Sequence, residues 1–109
     1  MTERKTVDHM IMEPVRKAAE LIADRQGREL SKVAEAIVYR EAETAEPTES
    51  GVAHPAKRPP ADVIPRTRVR FATDRERYGQ AVKRIRASGR SVAGVLEAGL
   101  EQYARTGKF

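Results

Sequence analysis

The sequence predicts a mainly α-helical protein with short β-strands, built from two tandem strand-helix-helix units. Three observations lead to this prediction. A glycine-containing turn followed by an apolar helical pattern occurs twice, at residues 27–38 and 89–100. A segment in which arginine and apolar residues alternate precedes the second pair of helical patterns. A proline-rich segment separates the two halves of the chain.

The two halves align at an offset of 62 residues, with "GRELSKVAEAIV" matching "GRSVAGVLEAGL". The identical pairs are Gly27 and Gly89, Arg28 and Arg90, Val33 and Val95, Glu35 and Glu97, and Ala36 and Ala98. Self-similarity at a fixed offset indicates an internal duplication. The match is weak in the preceding strand, where "TVDHMIMEP" contains no arginine.

The strand of the second unit is "TRVRFAT". Side chains alternate between the two faces of a strand, so Arg68, Arg70 and Ala72 share one face and Val69 and Phe71 the other. Val69 and Phe71 can enter a core. Two arginines on the opposite face require another explanation, and a solvated surface is the simplest one.

The helices of the second unit have recognisable ends. Asp74 or Thr73 can cap the first helix, and Gly89 is suited to terminate it. Ser91 can cap the second helix. The apolar residues of that helix recur at helical spacing and are Val92, Val95, Leu96, Leu100 and Tyr103. Gly99 lies on the same stripe, which indicates the close approach of another helix.

The first unit follows the same scheme with a different strand. Pro14 at the first helical position predicts a helix that runs to Gly27 and is slightly shorter than its counterpart. The second helix has an apolar stripe made of Leu30, Val33, Ala34, Ile37 and Val38. The register of the strand stays open, because the outward set is either Asp8, Met10 and Met12 or Val7, His9 and Ile11.

The segment between the units contains five of the six prolines and few bulky apolar side chains. Such a composition favours a flexible linker. The predicted organisation is a divergent unit at 1–42, a linker at 43–65 and a basic unit at 66–109.

The positive charge of the chain is concentrated in the second unit. The formal net charge is +5 and the sequence pI is about 9.9. Lys and Arg number 8 against 8 Asp and Glu in residues 1–42, 2 against 4 in residues 43–65, and 11 against 4 in residues 66–109. This distribution favours an acidic partner such as nucleic acid.

Several classes of function are disfavoured. The chain has no cysteine, and its two histidines lack clustered ligands, so we expect neither a metal site nor a cofactor. Glu97 and Glu101 are expected on the exposed side of the last helix, and no catalytic constellation is present, so we do not expect an enzyme. No apolar run of membrane-spanning length occurs, and we expect a cytoplasmic, nucleoid-associated protein without a membrane partner.

A unit of about 40 residues is too small to fold alone and leaves its strand without a hydrogen-bonded neighbour. Two such strands paired antiparallel would combine their polar faces in a ribbon that fits the DNA major groove. Arginine can donate two hydrogen bonds to the O6 and N7 atoms of guanine. The free N–H groups at the start of the helix after Ser91 can hold a phosphate, with Arg90 beside them.

The order strand, helix, Gly-x-Ser turn, helix over residues 66–105 resembles the ribbon-helix-helix DNA-binding proteins of the Arc and MetJ class. The resemblance implies that Arg68, Arg70 and Ala72 contact bases. The residues assigned to phosphate contacts are Arg66, Gly89, Arg90, Ser91, Val92 and Arg28. The residues assigned to a dimer or pseudo-dimer core are Val69, Phe71, Val95, Leu96, Gly99, Leu100, Val33 and Ile37.

Two assemblies would give each strand a hydrogen-bonded partner. The two units can pair within one chain, as in the tandem ribbon-helix-helix proteins of plasmid transfer of the TraY type. Alternatively, each unit can pair with the same unit of a second chain. We favour the pseudo-dimer, with further chains assembling along DNA. The expected function is that of a repressor from a bacterium, plasmid or phage. The alternatives are an antitoxin that also binds a toxin protein, and an accessory protein of plasmid transfer or partition.

Overall fold

The computed structural model describes residues 3–46 and 63–109. Its elements in chain order are β1 (Arg4–Met12), α1 (Glu13–Arg25), α2 (Leu30–Thr44), β2 (Arg66–Asp74), α3 (Arg75–Ala87) and α4 (Val92–Thr106). The predicted fold class is confirmed, because strand-helix-helix occurs twice. Most of the predicted linker, at 43–65, lies outside the described residues. Within the described ranges, no helix has the length and apolar character that crossing a membrane requires.

The duplication extends to the bounds of every element. Each element of the second half begins and ends 62 residues after its counterpart, so α1 and α3 both have 13 residues and α2 and α4 both have 15. The prediction of a shorter first helix is wrong, because α1 begins at Glu13 and Pro14 is its second residue. Gly27 and Gly89 follow the two helices with φ of 67° and 83°, a conformation that favours glycine.

β1 and β2 form a two-stranded antiparallel ribbon within the chain. The register runs from Arg4 opposite Asp74 to Met12 opposite Arg66. The ribbon is closed at both ends by equivalent bonds. The Glu13 N–H donates to the Pro65 carbonyl at 2.8 Å, and the Arg75 N–H donates to the Glu3 carbonyl at 2.9 Å. Intrachain pairing, the arrangement favoured above, supplies partners for the strand backbones.

The register decides which residues of β1 face the helices. Val7 and Ile11 are buried with Val69 and Phe71 of β2. Asp8, Met10 and Met12 therefore belong to the outer face, which is the first of the two sets considered from the sequence. His9 lies on the inner face and is half-buried.

The core lies between the inner face of the ribbon and the four helices. All residues assigned above to the core are buried, namely Val69, Phe71, Val95, Leu96, Gly99, Leu100, Val33 and Ile37. All three tyrosines join them, and their hydroxyl groups have partners. The Tyr39 hydroxyl is hydrogen bonded to Thr73 Oγ1, and the Tyr103 hydroxyl donates to Gln26 Oε1 at 2.6 Å. The core therefore connects both halves.

α2 and α4 are in direct contact at Ile37 and Gly99, which are equivalent positions of the two halves. A Cβ atom built on Gly99 would overlap Cγ2 of Ile37 and lie 3.5 Å from its Cβ and Cδ1. Ile37 is fully buried, so any movement of its side chain would have to be taken up by the surrounding core. The glycine on the apolar stripe is explained by this contact.

Candidate nucleic-acid interface

The outer face of the ribbon is rich in arginine. β2 contributes Arg66, Arg68, Arg70 and Ala72. β1 contributes Arg4, Thr6, Asp8, Met10 and Met12. The structure thus brings the three residues predicted to read bases onto one face of one strand, and all three are exposed. Met10, 47% exposed, stands directly opposite Arg68.

Asp8 and Arg70 form an ion pair across the two strands. Arg70 Nε donates to Asp8 Oδ1 at 2.7 Å, and its Nη2 lies 3.5 Å from Oδ2. The hydrogen bond from Arg70 lowers the pKa of the Asp8 carboxyl, and the same bond raises the pKa of the Arg70 guanidinium. The sequence did not predict this pair, because it depends on the register between residues 62 positions apart.

His9 and Tyr78 form a hydrogen bond under the ribbon. His9 Nε2 and the Tyr78 hydroxyl oxygen are 2.6 Å apart. Burial lowers the pKa of the His9 imidazole against the opposing effect of the Asp8 charge, and burial raises the pKa of the Tyr78 hydroxyl. At neutral pH the His9 imidazole and the Tyr78 hydroxyl are therefore both uncharged. The pair places polar but uncharged groups beneath the ribbon.

A groove of about 710 Å³ lies between β1, α3 and the first turn of α4. Its charged side chains are the basic Lys5, Lys83 and Arg86 and the acidic Asp8, and Ser91 lies at the N-terminal end of α4. The Lys5 ammonium is also 5.7 Å from the centre of the Tyr78 ring. We call this surface the basic groove. Free N–H groups at a helix N-terminus together with basic side chains favour an anion.

The equivalent surface of the first half has a different character. The positions that correspond to Lys5, Lys83, Arg86 and Ser91 are Thr67, Leu21, Asp24 and Glu29. Ser91 accepts a hydrogen bond from the Gly94 N–H at 3.0 Å, whereas Glu29 makes no side-chain cap on α2. The carboxylates of Glu29, at the start of α2, and of Asp24 would repel an anion, so an anion site is disfavoured on this surface. The two ends of the ribbon therefore differ electrostatically.

The residues predicted to contact phosphate lie in several environments. Ser91 and Val92 border the basic groove, and Gly89 is buried in the preceding turn. Arg90 instead pairs with Glu41, with Nη1 and Oε2 at 3.1 Å. Arg28 and Arg66 lie elsewhere. The Arg28 guanidinium lies 5.0 Å from the centre of the Phe109 ring, and Arg66 lies opposite Met12 at one end of the ribbon.

Sequence reasoning missed Lys5, Lys83 and Arg86. Lys83 and Arg86 are three residues apart and thus share a face of α3, and this spacing could have predicted a basic surface on that helix. The position of Lys5 beside them could not be found, because it depends on the packing of β1 against α3.

One sequence expectation is corrected in α4. Glu97 was expected to be exposed, but it is only 7% exposed and accepts a hydrogen bond from the Met12 N–H at 2.9 Å. The reason is the ribbon, since its end at Met12 lies over the flank of α4 next to the apolar stripe. Glu101 is exposed and pairs with Arg105 at 3.8 Å.

Comparisons with protein-family models, with curated proteins and with solved structures give no match for this chain.

Proposed function

We propose that this chain is a sequence-specific double-stranded DNA-binding transcriptional regulator of the ribbon-helix-helix type, acting as a repressor. The observation that carries the proposal is the antiparallel ribbon with Arg68 and Arg70 exposed on its outer face. A two-stranded ribbon has the width that the major groove admits, and arginine is the side chain best suited to guanine. No catalytic role, cofactor or metal is included in the proposal.

Bases are contacted from β2 in this proposal. Arg68 and Arg70 donate to guanine, and Ala72 makes an apolar contact such as that with a thymine methyl group. β1 offers Met10 and Met12 for further apolar contacts, while Asp8 is already engaged by Arg70. Base recognition is therefore concentrated on one strand of the ribbon.

Phosphates are held mainly at the basic groove. The Val92 N–H and the Ser91 hydroxyl lie at the start of α4, and Lys5, Lys83 and Arg86 line the same groove. Contacts of this kind fix the depth and orientation of a protein on DNA without reading sequence. Arg66, Arg90 and Arg28 remain further phosphate contacts in the proposal, with Gly89 shaping the turn that leads to α4.

The test is selection of binding sites from a randomised duplex pool, followed by measurement of affinities at several salt concentrations. The wild type should enrich a guanine-containing motif. Arg68→Ala with Arg70→Ala should remove the preference, because each bidentate contact is worth about 1–3 kcal/mol. Lys83→Ala with Arg86→Ala should instead weaken binding to all sequences and flatten the salt dependence.

The matched control is Arg25→Ala with Arg84→Ala, because these exposed arginines belong neither to the ribbon nor to the basic groove. It removes the same charge as either test variant and should keep the motif. An intact preference in the Arg68 and Arg70 variant would show that the ribbon does not read bases. An equal loss in the control would show that only net charge matters.

A further inference from the structure

We propose that Asp8 is a specificity-determining positioning residue, which holds Arg70 so that its terminal nitrogens face a single guanine and which weakens binding to DNA that lacks that guanine. The inference rests on the proposed function above. β1 spans Arg4–Met12 and β2 spans Arg66–Asp74, so Asp8 and Arg70 are the middle residues of the two strands and stand directly opposite each other.

At the centre of the ribbon, two-fold symmetry would place identical side chains opposite each other. Two arginines there would repel, because like charges directly across a strand pair are destabilising. This chain has an aspartate and an arginine at the two equivalent positions instead. One arginine is thereby kept at the centre, and its direction is defined by the carboxylate beside it.

The geometry of the pair leaves the reading edge of Arg70 accessible. The guanidinium has five N–H donors, and Asp8 takes the Nε–H at 2.7 Å with a longer approach to Nη2 at 3.5 Å. The two terminal nitrogens still carry hydrogens directed away from Asp8. These are the donors that match guanine O6 and N7.

The stability of the fold does not account for the pair. Both side chains are well exposed, 56% for Arg70 and 43% for Asp8, and ion pairs in such positions contribute little to folding. The effect of the pair on DNA binding is larger than its effect on folding. A long exposed arginine without an anchor can turn to any phosphate, whereas an anchored one next to a carboxylate is less attracted to phosphates and needs a base partner.

The experiment uses the full chain with the selected duplex, with the same duplex carrying 7-deazaguanine at the one guanine whose recognition Arg70→Ala abolishes, and with a random duplex. 7-Deazaguanine lacks the N7 acceptor. The wild type should bind the modified duplex about 5- to 100-fold more weakly, as expected for a bidentate contact. In Asp8→Ala that ratio should fall to about threefold or less, while affinity for the random duplex rises by about threefold or more.

Asp8→Asn separates position from charge, because its amide oxygen can still accept from Nε while the negative charge is gone. It should keep most of the guanine discrimination and still bind the random duplex more tightly. Glu3→Gln is the matched control, since Glu3 pairs with Arg75 at 2.9 Å at the end of the ribbon. It removes the same charge and should leave the discrimination unchanged.

A measurement without DNA completes the test. The NMR order parameter of the Arg70 Nε–H should be high in the wild type and in Glu3→Gln, and should drop in Asp8→Ala. If Arg70→Ala loses the guanine discrimination but Asp8→Ala keeps it unchanged, the proposed role of Asp8 is overturned. The proposed function still stands in that case. A wild type that binds no duplex DNA overturns both.

Discussion

Gly99→Ala tests the packing of the two halves at the point where α2 and α4 meet. The new methyl group would overlap Cγ2 of the fully buried Ile37. Overpacking of a filled core costs about 1–3 kcal/mol. Replacing glycine by alanine in a helix also stabilises by about 0.5–1 kcal/mol. The two effects must be separated, and the chain contains a site that allows this.

Gly79→Ala is the matched control, because Gly79 lies in α3 and a Cβ built there has no neighbour within 4 Å. Both substitutions gain the same helix propensity. The difference in the free energy of unfolding between the two variants therefore measures the overpacking alone, and it should be about 1–3 kcal/mol. Urea unfolding followed by circular dichroism at 25 °C gives this difference directly.

A second substitution tests whether Ile37 is the side chain that the new methyl group of Gly99→Ala would overlap. Ile37→Ala removes Cγ2 and leaves Cβ, which would lie 3.5 Å from the new methyl group. In that background Gly99→Ala should become stabilising, with a coupling of about 1–3 kcal/mol between the two positions. If Gly99→Ala stabilises the otherwise unchanged protein as much as Gly79→Ala does, the close contact between α2 and α4 is wrong.

Three further outcomes follow from the fold. Sedimentation should give a monomer of 12.2 kDa at micromolar concentration, and a dimer without detectable monomer would count heavily against intrachain pairing. Glu97→Ala should cost about 1–3 kcal/mol in urea unfolding by leaving the Met12 N–H without its acceptor, and Glu97→Gln should cost less. The His9 pKa is lowered in the folded protein, so the unfolded state takes up protons first and stability should be lost as pH falls below 6.5. His9→Gln should remove this loss in unfolding measured from pH 5 to 8, and an equal loss in the variant would contradict it.

Local patterns were sufficient to predict the type and order of the elements, though not the length of α1. The alternation in "TRVRFAT" predicts the two faces of β2, and Ser91 caps α4 as predicted. The apolar stripe through Val95 and Leu100 is buried. These features depend on residues within a few positions of one another, where strand and helix periodicity determine the outcome.

The candidate site was only partly predictable, because its essential contacts join distant parts of the chain. The pair of Asp8 with Arg70 requires the strand register, and the bond from Met12 to Glu97 requires the position of the ribbon on α4. The assembly of Lys5 with Lys83 requires the packing of β1 against α3. None of these is encoded in a local period of the sequence.

The intrachain pairing of β1 with β2 also determines how the protein responds to its own abundance. A ribbon made from two identical chains exists only as a dimer, so at low concentration its amount rises with the square of the chain concentration and it is lost on dilution. Here both strands belong to one polypeptide, and closing the ribbon is a first-order event. The amount of complete ribbon is therefore directly proportional to the number of chains made.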